Sequence, residues 1–334
     1  MNNQQNITVI GGGSWATALV KILCDNKLPK KITWWLRKEE TIVHLKKFKH
    51  NPNYLSDVEF DLKNITLTKD VIKAIKSSDI IVLAVPSAFL HDILKGCTSA
   101  IFKNKTIVSA IKGVVPQYNL VVADYLKKQF GVTEKQQAVI AGPCHAEEVA
   151  LERLSYLTLC GGSKQAAEAI AMNLKCIYIK TNINVDMVGA EYGAVLKNVY
   201  ALASGICHGL GYGDNFQAVL VANAIREMKR FIDVVKPIHR DVKESAYLGD
   251  LLVTAYSLYS RNRMFGTMIG KGFSVKVAQL EMNMIAEGYY ASKCMFEINK
   301  VYKVDMPIMT AVYKILYQKK SPSVEIKNIT ENLN

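Results

Sequence analysis

The run Gly11-Gly12-Gly13-Ser14-Trp15-Ala16 follows Ile7-Thr8-Val9-Ile10 and leads into Thr17-Ala18-Leu19-Val20-Lys21-Ile22-Leu23. This is G-x-G-x-x-A between a strand and a helix, the setting in which the pattern binds a dinucleotide. Gly11 permits the tight turn, Gly13 lets the backbone approach a pyrophosphate, and Ala16 keeps the helix close to the strand. Ser14 and Trp15 open that helix, where unpaired N–H groups and the macrodipole favour an anion. The next strand pattern, 31–36, ends in Arg37-Lys38. An acidic residue there would hold a free ribose 2′-OH, whereas a basic one suits a 2′-phosphate. The expected cofactor is therefore NADP(H) and/or NAD(H), and no metal is expected. Gly11, Gly13, Ser14, Trp15 and Arg37 are its candidate contacts.

The elements that must carry this turn follow from the pattern of apolar residues. Short β-branched runs at 7–10, 31–36, 65–68, 80–85, 106–110, 138–141, 156–160 and 177–180 alternate with helical spacing, as at 17–26 and 164–174. Alternation of this kind builds a mostly parallel sheet with helices on its faces. After about residue 184 the period becomes helical, at 185–208, 217–235 and in stretches between 241 and 317. The expected architecture is an α/β Rossmann-type domain over 1–183 and an all-α domain over 184–334 that carries substrate and catalyst. The polar tail after Lys319, with Ser321-Pro322-Ser323, is expected to be a loose end.

Composition narrows the function classes. Half of the 334 residues are hydrophobic and 21% are charged, a globular balance that excludes a disordered chain. No apolar run is long enough to span a membrane, and the polar N-terminus has no signal-peptide pattern. Seven scattered cysteines form no C-x-x-C pair, which fits reduced thiols and a cytoplasmic protein. The net charge of +13 comes from 42 Lys and Arg against 29 Asp and Glu. The basic residues are dispersed and are not interleaved with aromatics, so a small anionic ligand is expected and nucleic acid is not.

Further blocks identify a family. Ile111-Lys112-Gly113, Ala141-Gly142-Pro143, Gly193-Ala194-Val195-Leu196-Lys197-Asn198-Val199, Leu248-Gly249-Asp250-Leu251-Leu252-Val253-Thr254 and Ser260-Arg261-Asn262-Arg263-Met264-Phe265-Gly266 occur in that order, with Glu287-Gly288 downstream. Over nearly its whole length the chain resembles bacterial NAD(P)-dependent glycerol-3-phosphate dehydrogenases. The resemblance implies a 6-phosphogluconate-dehydrogenase-like fold, a homodimer, and interconversion of dihydroxyacetone phosphate and sn-glycerol 3-phosphate feeding phospholipid synthesis. Reducing a ketone needs a hydride and a proton donor, and a lysine among cations such as Lys112 and Arg261 can have a pKa near neutrality. What the resemblance implies is that Lys197 is this proton carrier, positioned by Asp250, with Lys112 touching both substrate and cofactor. It gives Ser260, Arg261 and Asn262 to the substrate phosphate, which a guanidinium can grip bidentately. Gly142 and Cys144 are its further substrate contacts, and Ala146, Arg261, Ile285 and Glu287 its further cofactor contacts.

Three departures from the family pattern stand out. Cys144 replaces a hydroxyl or amide with a weaker hydrogen-bonding thiol. Ala16 replaces a glycine, which the dinucleotide pattern tolerates, and Ala222-Asn223-Ala224 replaces Thr-Arg-Gly. Two other functions stay open from the residues alone. A β-hydroxyacid dehydrogenase of related fold would have no need of Arg261-Asn262, and a non-catalytic NADP sensor or nucleic-acid-binding regulator would have no need of the lysine and aspartate.

Overall fold

The computed structural model describes residues 5–28, 30–282 and 286–333. Contacts divide the chain into two compact units, one of Met1–Val85, Phe89–Ile111 and Val122–Met187, the other of Pro86–Ala88, Lys112–Val121 and Val188–Asn334.

The first unit is a twisted sheet of β1 (Gln5–Ile10), β2 (Lys30–Trp35), β3 (Ile65–Thr68), β4 (Ile80–Leu83), β5 (Thr106–Ser109), β8 (Gln137–Ala141), β9 (Ser155–Gly161) and β10 (Ile179–Asn184). Their spatial order is β10-β9-β8-β5-β4-β1-β2-β3, and every neighbouring pair is parallel except β8 with β9. The helices of the unit are α1 (Ser14–Asp25), α2 (Glu39–Phe48), α3 (Val71–Lys76), α4 (Ser87–Ile93), α5 (Val122–Phe130), α6 (Ala146–Ala150) and α7 (Lys164–Leu174), with α4 starting in the second unit. The central strand β4, Ile80-Ile81-Val82-Leu83, is buried at all four residues, as expected of a strand covered on both faces. Chain order reverses at β1: β2 lies on one side and β4 on the other. Ligands of open α/β sheets bind beyond the strand ends at such a point, and Gly11 follows β1 there.

The second unit holds the small antiparallel ladder β6 (Val114–Val115) with β7 (Leu120–Val121) and the helices α8 (Met187–Gly209), α9 (Asp214–Val235), α10 (Asp250–Tyr256), α11 (Arg261–Gly270), α12 (Val275–Glu281), α13 (Glu287–Tyr302), α14 (Pro307–Tyr317) and α15 (Pro322–Thr330). Helix α8 is buried on all sides from Gly189 to Cys207, so it is the axis of this unit. It crosses α11 backbone to backbone. A Cβ on Gly205 would overlap the Arg263 carbonyl oxygen and lie 2.8 Å from the Thr267 nitrogen, and one on Gly266 would overlap the Leu202 carbonyl oxygen. Gly205→Ala is accordingly expected to cost about 1–3 kcal/mol or more of stability, read as a fall in the denaturation midpoint.

One expectation needs correcting. The tail after Lys319 is not loose: Pro322 opens α15, which buries Ile326 and Ile329 and pairs Glu325 with Lys314 at 3.4 Å. Ser-Pro before an i, i+3 isoleucine pair was the overlooked signal, because proline is favoured in a first helical turn. The β6–β7 ladder, only two residues a side, left no periodicity to find.

Candidate active site

In the first unit the glycine turn is held from three sides. The Trp34 indole N–H donates to the Gly11 carbonyl at 2.7 Å. The Asn51 amide donates to the Gly12 carbonyl at 3.1 Å and to the Thr17 hydroxyl at 2.9 Å. Gly11 has φ +146°, and a Cβ there would run into the Ala84 carbonyl at the end of β4. Gly13, by contrast, faces open space and is the N-cap of α1, with no side chain capping the helix. The indole N–H of Trp15 is buried without a hydrogen-bond partner. An uncapped helix start, an open glycine and an orphaned donor fit a dinucleotide phosphate at this turn. Arg37 is exposed, with its guanidinium 5.9 Å from the centre of the Phe89 ring.

Also in this unit, Gly142 has φ +105°, and its missing Cβ would sit 3.0 Å from the Tyr156 carbonyl. Backbone geometry alone therefore requires this glycine. Cys144 is half-buried against the core of the unit, and Ala146 is the buried first residue of α6.

In the second unit one carboxylate gathers two lysines. Lys197, on α8, donates to Asp250 Oδ1 and to the Thr254 hydroxyl at 3.0 Å. Lys112 donates to Asp250 Oδ2 at 3.1 Å. The Thr254 hydroxyl donates its own proton to the Asp250 carbonyl at 2.6 Å, which leaves its oxygen lone pairs to receive Lys197. Asp250 is the first residue of α10, which continues directly from a π-helical turn, Ser245–Gly249. Asp250 and Lys197 are 1% and 5% exposed, so the pairing is screened little by water.

These surroundings set the protonation of the site. Burial lowers the Lys197 pKa to about 7, with Lys112 adding to the fall and Asp250 opposing it. Burial would raise the Asp250 carboxyl, but Lys112 and then Lys197 outweigh it and hold the group below the usual carboxylate range. The chief cause for Lys197 is thus burial, and Lys112, one of the cations expected from the residue types, adds a smaller fall.

Around this core, Asn198 donates to the Lys112 carbonyl at 2.8 Å. Asn262 donates to Asn198 Oδ1 at 2.9 Å and accepts from the Gly288 amide at 2.9 Å. Ser260 caps α11, its hydroxyl accepting from the Arg263 amide at 3.3 Å, and Arg261 is the exposed first residue of that helix. Glu287 opens α13 and accepts from the Ser87 amide at 3.1 Å and hydroxyl at 2.7 Å. Burial raises its pKa against those two bonds and the pull of Arg261. Ile285 lies outside the described residues.

The family described as NAD-dependent glycerol-3-phosphate dehydrogenase N-terminus matches residues 6–167, and its C-terminus counterpart matches 186–327. The glycerol-3-phosphate dehydrogenase (NAD(P)+) of Bacillus velezensis is 33% identical over 324 residues, covering 96% of this chain and 93% of its own. The chain belongs to the NAD-dependent glycerol-3-phosphate dehydrogenase family.

The correspondingly named protein of Thermoanaerobacter is 34% identical, over 95% of this chain and 94% of its own. The crystal structure of glycerol-3-phosphate dehydrogenase from Coxiella burnetii superposes with a TM-score of 0.90 at 26% identity, covering 98% and 99% of the two chains. The fold class expected from the sequence, a mostly parallel Rossmann-type sheet with a helical C-terminal part, is the one observed. Within the family frame, sequence reasoning missed Thr254, Ser87 and the bonding of Asn198. A hydroxyl four residues after Asp250 returns to the same helix face, the one signal that could have found Thr254. Nothing in the sequence pairs Ser87 with Glu287, 200 residues away.

Proposed function

We propose that this protein interconverts dihydroxyacetone phosphate and sn-glycerol 3-phosphate with NAD(P)H or NAD(P)+. The observation that carries the reading is Lys197, buried and lowered to about 7, on a carboxylate shared with Lys112 in a chain of this family. Bound nicotinamide supplies or accepts the hydride. Gly11, Gly13, Ser14 and Trp15 hold its pyrophosphate end. Arg37 meets a ribose 2′-phosphate, which favours NADP(H), and Ala146, Arg261 and Glu287 are further cofactor contacts. Ile285 is assigned with them on resemblance alone.

Lys197 as ammonium gives a proton to the ketone oxygen and as amine takes it back. Asp250 and Thr254 fix its Nζ so that one N–H remains for the substrate. Lys112 stabilises the developing alkoxide, and Arg261 pairs with the phosphate beside Ser260 and Asn262. Gly142 and Cys144 complete the substrate contacts, with the thiol the weakest of them. By this reading residues 1–183 form the NAD(P)-binding domain, which also lends Lys112, Gly142 and Cys144 to the substrate, and 184–334 form the helical substrate and catalytic domain, which also lends Arg261, Ile285 and Glu287 to the cofactor. The protein works as a cytoplasmic homodimer and supplies the backbone for glycerophospholipids.

The test is steady-state turnover of dihydroxyacetone phosphate with each reduced cofactor in turn. Reduction needs the ammonium form, so its kcat should fall as pH rises through about 7; oxidation needs the amine, so its kcat should rise through the same value. Turnover of a 3-hydroxy acid with none of the triose phosphate would sink the proposal.

A further inference from the structure

Two amides beside the lysines form a chain whose direction is set at both ends by backbone. The Gly288 N–H can only donate, so the Asn262 atom it meets is the carbonyl oxygen. The other end of that amide then donates to Asn198 Oδ1, and Asn198 in turn donates to the Lys112 carbonyl, which can only accept. Turning either amide over would set oxygen against oxygen or N–H against N–H. Asn198 is 5% and Asn262 8% exposed, so little water could relieve such a mismatch.

The two residues joined by the chain each have a job at the site. Lys112 reaches Asp250 Oδ2 and helps to lower Lys197. Gly288 follows Glu287, whose carboxylate grips Ser87 by both amide and hydroxyl. We infer that Asn198 and Asn262 are positioning residues whose amide relay holds Lys112 on Asp250 and ties that grip to the first turn of α13. The inference rests on the proposed reaction for its kinetic consequence, but its geometry does not. Asn262 thereby differs from a simple phosphate ligand: its carbonyl oxygen and one N–H are already committed to the protein.

The experiment compares Asn198→Ala, Asn262→Ala and the double variant. In each, with no substrate or cofactor present, Lys197 is titrated by NMR of 13C-labelled lysine, its signal assigned with Lys197→Arg. A loosened Lys112 repels Lys197 less and leaves it more of Asp250. All three variants should therefore titrate above the wild type, and the double variant no further than the singles. Kinetically, kcat should fall by about 10–100-fold in each, with its pH limb moved upward and KM for dihydroxyacetone phosphate changed little. The relay is overturned if Lys197 titrates as in the wild type in the two single variants. It is equally overturned if Asn262→Ala raises only KM while Asn198→Ala is silent, the behaviour of a phosphate ligand. Should the alanines not fold, Asn198→Ser and Asn262→Ser, too short to span the gap, take their place with the same outcomes. A wild type that ignores dihydroxyacetone phosphate would remove the proposed reaction, and the ligand-free titration would still judge the relay.

Discussion

Lys197→Ala is expected to lower kcat for dihydroxyacetone phosphate reduction by about 10²–10⁴-fold, the usual worth of a positioned general acid. Its volume-matched companion, Lys197→Met, should lose as much. The alkyl stem of Lys197 is buried, so the alanine also leaves a cavity and lowers the melting temperature, whereas methionine refills most of that space. Neither change strands a charge, because Asp250 keeps Lys112 as its partner. Activity and stability therefore separate: two inactive variants, one of them nearly as stable as the parent. A Lys197→Met enzyme within about tenfold of wild-type kcat would mean that another group carries the proton.

The largest loss of stability is expected from Asp250→Ala. Removing the shared carboxylate takes away the counter-ion that Lys112 and Lys197 have in common, a change that costs about 3–5 kcal/mol for buried pairs. The deficit should depend on pH with a definite sign. Asp250 raises the Lys197 pKa, so without it the folded value drops below about 7, further from the ordinary 10.5. Wherever the unfolded chain binds the extra proton, stability rises with pH. The widened gap lies on the acid side, so the deficit against wild type should be larger near pH 6 than near pH 9. Urea midpoints at the two pH values measure this, and a deficit that is larger at the alkaline value would contradict the charge assignment. Asp250→Asn keeps the shape and should still fail to reduce substrate at neutral pH, because Lys197 then spends too little time protonated.

Much of this site could be read from residue order, for reasons that are themselves physical. The turn at Gly11 and Gly13 announces itself because a strand, a glycine pair and a helix are all local. Lys197, Asp250 and Lys112 come from three separate blocks, and only the family resemblance joined them. Burial, the main cause of the lowered lysine, is a property of α8 as the axis of its unit and has no signature at position 197. The directions of the Asn198 and Asn262 amides are likewise invisible, since each is set by a backbone partner far along the chain. Asn262 was expected at the phosphate; its two protein bonds could not be foreseen. At Ala222-Asn223-Ala224 the structure explains nothing beyond an Asn223 amide returned to the Val219 carbonyl.

The glycine crossing of α8 and α11 also has a mechanical meaning. Where helices meet through side chains, a rotamer change can absorb a small slide; here main chain meets main chain, and there is no rotamer to yield. Lys197 and Asn198 ride on one of these helices, Arg261 and Asn262 on the other. The backbones that carry the proposed proton carrier and the cation assigned to the phosphate are therefore held at a fixed spacing. On the proposed reaction, ketone phosphates longer or shorter than dihydroxyacetone phosphate are therefore expected to turn over more slowly.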